Sequence, residues 1–140
     1  MPAIDCPFRA ARDITQLLKK ETDIILVDLH AEATSEKVAM GYFLDGKVSA
    51  VVGTHTHVAT ADPRILTKGT AYVTDLGMVG PIDSVIGMET EDALYRFLNN
   101  IPRHLRVAGG RCRFNSVLIE LDDATAAPRS IERVDREHSV

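Results

Sequence analysis

Three histidines stand where a cation could be held. His30 closes the apolar run Ile24-Ile25-Leu26-Val27-Asp28-Leu29, and His55 and His57 flank Thr56 just past a second run, Val48 to Val52. A strand presents alternate side chains on one face, so a His-x-His pair at a strand end offers two imidazoles side by side while a neighbouring strand end supplies a third. Neutral imidazole is a good ligand for zinc, iron and manganese, and histidines on rigid strand ends leave one side open for water or phosphate. Asp28 and Glu32, two residues either side of His30, are placed to orient it through its other ring nitrogen. His30, His55 and His57 with one of these carboxylates also fit a single-ion site. The remaining histidines, His104 and His138, read as surface residues, and Cys6 and Cys112 as small buried or partly buried thiols without a CxxC partner.

The elements that must position these groups follow from periodicity. Ala10, Ile14, Leu17 and Leu18 recur at helical spacing and predict an amphipathic helix over 9–20. Asp23 to Leu29 reads as a strand buried on both faces. Thr34 or Ser35 caps a helix that runs to about Leu44 and stops at Asp45-Gly46, and Val48 to Val52 is the next strand. Ala71 to Thr74 predicts a third strand. A helix opens at Thr90 with Ala93, Leu94, Phe97 and Leu98 as its buried stripe, and Pro102 ends it. Phe114 to Leu121 and Ser130 to Val134 read as a closing strand pair, with 136–140 frayed. The order is that of a single α/β domain over residues 1–140, with the three histidines at carboxyl ends of strands.

Composition narrows the function. The 140 residues are 45% hydrophobic and 26% charged, as in a folded globular protein, and the apolar runs are too short to cross a bilayer. The N-terminus lacks the regions of a secretory signal, so the cytoplasm is the expected location. A net charge of −4 argues against a general nucleic-acid surface. Arg103, Arg106, Arg111 and Arg113 form a local basic group around Gly109-Gly110, read as a solvated turn entering a strand. Serine-hydrolase, P-loop and dinucleotide-binding readings lack their motifs. The glycine-rich Thr74-Asp75-Leu76-Gly77-Met78-Val79-Gly80-Pro81 is a candidate closing loop.

The stretches Val27-Asp28-Leu29-His30-Ala31-Glu32-Ala33-Thr34-Ser35-Glu36-Lys37, Gly53-Thr54-His55-Thr56-His57-Val58, Thr60-Ala61-Asp62 and Thr74-Asp75-Leu76-Gly77-Met78 together resemble the YmdB-like metallophosphoesterases of bacteria. Gly80-Pro81, Asp83, Ile86-Gly87-Met88 and Ile131-Glu132-Arg133 continue the likeness. The resemblance implies a calcineurin-like α/β/β/α sandwich with two divalent metal ions, iron or manganese, and phosphodiesterase activity on small phosphodiesters such as 2′,3′-cyclic nucleotides. By motif position it assigns His30 and His55 to one metal and His57 to the other.

The family's Gly-Asp, Glu-Asn and Asn-His motifs, which supply the bridging carboxylate and the general acid, have no counterpart here. The chain is therefore expected to be the C-terminal half of such a domain, lacking its N-terminal strands, with no catalytic acid of its own. A separate N-terminal half or a homo-oligomer is expected to cover the surface so exposed. The alternative is a catalytically inactive remnant or regulatory binding module of the same fold.

Overall fold

A computed structural model describes residues 5–139 as mixed α/β. Helix α1 (Pro7–Leu18) opens with proline at its first turn, where the missing N–H costs nothing. Strand β1 (Leu26–His30) leads to α2 (Thr34–Leu44), β2 (Ala50–Thr54), the short β3 (Arg64–Ile65) and β4 (Ala71–Val73). These strands form one sheet in the order β1-β2-β4-β3, parallel except for β3. Then come β5 (Val79–Pro81), α3 (Thr90–Asn99), β6 (Cys112–Phe114), β7 (Val117–Leu121), β8 (Pro128–Arg133) and β9 (Arg136–His138). Here β5, β6 and β9 pair antiparallel, and β7 pairs with β8. Among the described residues no helix is long and apolar enough to cross a membrane.

The core lies between the parallel sheet and the first two helices, where Ile25, Met40, Leu44, Val51, Leu66 and Tyr72 are buried together. Gly41 lets α2 close on the sheet, because a Cβ there would stand 2.6 Å from the Tyr72 ring. Phe8 meets Phe43 edge-on at 5.5 Å between ring centroids, which seats α1 on α2.

That seating turns α1 away from its expected face. Phe8, Ala11 and Leu18 pack on the core, whereas Ile14 and Leu17 of the predicted stripe are exposed. The same correction applies to α3. Ala93 is buried, but Leu94, Phe97 and Leu98 are exposed, the last two by 79% and 81%. The periodicity located both helices, yet an apolar stripe alone does not say which neighbour is present to cover it. Strand β1 begins three residues later than expected and is not buried on both faces. It is a sheet edge, with Leu26, Asp28 and His30 exposed on one side.

The predicted caps differ too. Ala33 and Glu89 occupy the N-cap positions of α2 and α3, and neither makes a side-chain cap. Left-handed Asn100 ends α3 before Pro102 is reached. Asn115 and Ser116 divide the expected 114–121 strand into β6 and β7, because Asn115 donates to the Met78 carbonyl and Ser116 to that of Val134. Residues 136–138, expected to fray, form β9 against β6, while Val140 lies outside the described residues. Cys6 is exposed rather than buried.

The basic group disperses into ion pairs. Arg103 and Arg106 hold the buried Asp92, and Arg111 and Arg113 approach Glu137. This agrees with a structural role around the turn.

Candidate functional site

The parallel register places His30 opposite Thr54, side by side at the carboxyl ends of β1 and β2. His55 follows immediately, so the two rings meet: His30 Nε2 lies 3.2 Å from His55 Nδ1, with centroids 5.1 Å apart and ring planes inclined at 71°. Two nitrogens bound to one ion at about 2.05 Å in tetrahedral geometry stand about 3.3 Å apart. The pair therefore matches one edge of a coordination polyhedron.

Proton counting fixes which nitrogen of His30 is free. The Thr54 hydroxyl donates to Asp28 Oδ1 at 3.0 Å and so has spent its one proton. Toward His30 Nδ1, 3.1 Å away, it can only accept. His30 thus carries its proton on Nδ1 and presents its Nε2 lone pair to His55, whose Nδ1–H donates to it until a cation takes the place of that proton. Asp28, expected to orient His30 directly, does so through Thr54.

His57 is held apart from this pair. Its Nδ1–H donates to the Ile86 carbonyl at 3.1 Å, which leaves Nε2 as the available lone pair. Alternation along a strand does not carry the His55-Thr56-His57 segment, because β2 has ended. His55 and His57 instead adopt φ of 139° and 62°, uncommon for residues with a side chain. Among the described residues no group of three or more histidine, cysteine, aspartate or glutamate side chains comes together as a metal cage. Two imidazoles converge, and the third faces its own surroundings.

Sequence reasoning missed what holds this segment. Lys37 of α2 and Asp75, both with side chains only 1% exposed, form an ion pair at 2.6 Å. The Lys37 ammonium also donates to the Thr54 carbonyl at 3.1 Å. Asp75 accepts from the Thr56 and Gly77 backbone N–H groups at 3.0 and 2.9 Å. Burial pushes the Asp75 carboxyl up, but the bonds from Lys37, Thr56 and Gly77 prevail and leave it below the usual carboxylate range. Gly53 is required at the same seam, since a Cβ there would lie 1.8 Å from the Thr74 carbonyl oxygen.

A second carboxylate supports the loop. Asp62 accepts from both Thr60 and Thr74 hydroxyls at 2.6 Å, and Thr60 bonds the Asp75 backbone in turn. The Thr60-Ala61-Asp62 and Thr74-Asp75 stretches are therefore the supports of the histidine segment. A lysine within the second helical segment and an aspartate just after the Ala71 to Thr74 strand were the available clue.

A sequence profile of the YmdB-like protein family matches residues 1–134. The chain is 50% identical over 134 residues to the 2′,3′-cyclic-nucleotide 2′-phosphodiesterase of Bacillus subtilis (strain 168), covering 96% of this chain and 51% of the relative. It superimposes on the crystal structure of a hypothetical protein from Thermus thermophilus with a TM-score of 0.87 and 46% identity, over 98% of this chain and 53% of that one. A crystal structure of a novel phosphatase from Mycoplasma pneumoniae gives the same TM-score at 37% identity, over 99% and 50%. The chain spans about half the length of the curated relatives it matches.

Proposed function

The chain belongs to the YmdB-like protein family, and from that premise we propose that it contributes the histidine half of a metal-dependent phosphodiesterase centre acting on small cyclic phosphodiesters. The observation that carries this reading is the 3.2 Å approach of His30 Nε2 to His55 Nδ1 at adjoining strand ends. A relative 50% identical bears the name of a 2′,3′-cyclic-nucleotide phosphodiesterase, which directs the choice of substrate.

On this reading His30 and His55 hold one divalent ion and His57 contributes to a second, with iron or manganese as occupants. Such ions, when bound, activate water and neutralise charge on the phosphoryl oxygens. The protein's own residues prepare the ligands. Asp28 and Thr54 hold His30 in the tautomer that frees Nε2, the Ile86 carbonyl does the same for His57, and Lys37 with Asp75 anchors the backbone between them. Anionic ligands and the proton donor for the leaving oxygen come from outside this stretch, in a longer form of the protein or a separate N-terminal half. The full assembly is read as the calcineurin-like α/β/β/α sandwich.

The test is hydrolysis of bis-p-nitrophenyl phosphate with manganese or iron, by the chain alone and with the N-terminal half of a family member added. Turnover by the reconstituted pair that falls at least about 100-fold in His55→Ala supports the reading. An inactive reconstituted pair, or a His55→Ala pair as active as the parent, overturns it. Inactivity with partner binding retained in a His55→Ala and His57→Ala double variant favours the inert binding module.

A further inference from the structure

A cavity of about 380 Å³ opens beside His57, within the range of small-molecule sites. Its lining is mixed. Met78, Pro81 and Ile86 supply apolar surface, while Asn115, Arg113 and Asp135 supply an amide, a guanidinium and a carboxylate. The cavity owes its shape to chain geometry. Gly80 adds no side chain to the wall beside the Met78 thioether, and a Cβ there would make only ordinary contact, 3.5 Å from the sulfur. The Asn115 amide spends a donor on the Met78 carbonyl at 2.7 Å and so pins the wall that bears that side chain. Arg133 bonds the Thr60 and Leu76 carbonyls and Asp135, closing the floor.

We propose that this cavity receives the nucleoside part of a nucleotide whose phosphate lies toward His57. The inference rests on the phosphodiesterase reading and deepens it by assigning the group that selects the substrate. A lipid would need walls without charge, and an inorganic anion would need neither thioether nor aliphatic surface. A flat heteroaromatic ring uses both kinds. The Met78 sulfur favours aromatic faces, as does a guanidinium such as that of Arg113, whose N–H groups are held by Glu137, and the Asn115 amide keeps its oxygen and one N–H for the ring's edge. His57 is shared between the cavity and the proposed centre, and its bond to Ile86, itself a wall residue, ties the two.

The chain contains four methionines, so labelled methionine methyl groups give a small NMR spectrum, with the Met78 signal assigned through Met78→Leu. Adenosine 2′,3′-cyclic phosphate and adenosine alone are each expected to shift the Met78 methyl saturably. Inorganic phosphate is expected to leave it in place, and Met40, buried in the core, serves as the unmoved reference. Gly80→Leu, which fills the cavity from a position whose Cβ makes only ordinary contacts, should weaken nucleotide binding at least tenfold with Met40 unchanged. A Met78 methyl indifferent to the nucleotide, a response to phosphate alone, or a Gly80→Leu titration equal to the parent's overturns the proposal. The reconstituted pair's hydrolysis of bis-p-nitrophenyl phosphate, which has no nucleoside, separates the two readings. Hydrolysis with a silent Met78 sinks the cavity and spares the centre, whereas nucleotide binding without hydrolysis does the reverse.

Discussion

Replacing Lys37 with methionine keeps most of the side chain's volume and removes one charge from a pair that water does not reach. Both side chains are 1% exposed, so the loss is that of a buried partner, for which about 3–5 kcal/mol is typical. The lower end applies, because Asp75 keeps the Thr56 and Gly77 N–H donors and its charge is not left bare. A loss of about 3 kcal/mol lowers the melting temperature of a domain this size by about 12 °C. Urea unfolding followed by circular dichroism measures it, and an unchanged dependence on urea concentration shows that the folded state alone is affected. The backbone should respond locally as well. The Thr54 carbonyl loses its ammonium donor, so the Thr56 amide is expected to exchange with solvent faster in Lys37→Met, read by hydrogen exchange. A loss below about 1 kcal/mol, the scale typical of solvent-exposed ion pairs, would refute the reasoning.

Gly53→Ala should destabilise by about 3 kcal/mol or more, since the added methyl meets the Thr74 carbonyl at 1.8 Å and backbone cannot step aside as a flexible side chain would; thermal unfolding checks it. Acid should act through Asp92, whose carboxyl is held at about 2 by the hydrogen bond from Arg106, reinforced by the Arg103 charge and opposed by burial. Because this value lies below the ordinary 3.8, the contribution is fully present above that pH and is lost as pH falls through about 2, with Asp75 shifted in the same sense. Urea midpoints measured down to about pH 2 should fall across that window, and less so in Asp92→Asn.

Much of this organisation can be read in the chain itself. Helix α2 ends at Leu44, where the Asp45-Gly46 turn predicts, and Val117 and Ile119 alternate against Leu118 and Glu120 as expected. His30 falls at the end of its strand for the same reason. Burial was less legible. Ile14, Leu17, Phe97 and Leu98 have the spacing of a core face, but spacing does not reveal whether a neighbour stands opposite. The same holds for β1, whose apolar run resembles that of a central strand. Turn geometry at His55 and His57 was hidden too, because the left-handed conformations there depend on Asp75 and Ile86, many residues further along. The Asp28–Thr54–His30 connection required the register of two strands, which no local pattern encodes.

The parallel sheet finishes differently on its two sides. Strand β3 is two residues long, follows Pro63 and carries Arg64, a combination that discourages any further strand from pairing there. Strand β1 is five residues long and offers its outer backbone groups together with Leu26. Among the described residues, β1 is therefore the flank of this sheet better suited to receive a further strand, and β3 the flank that turns one away.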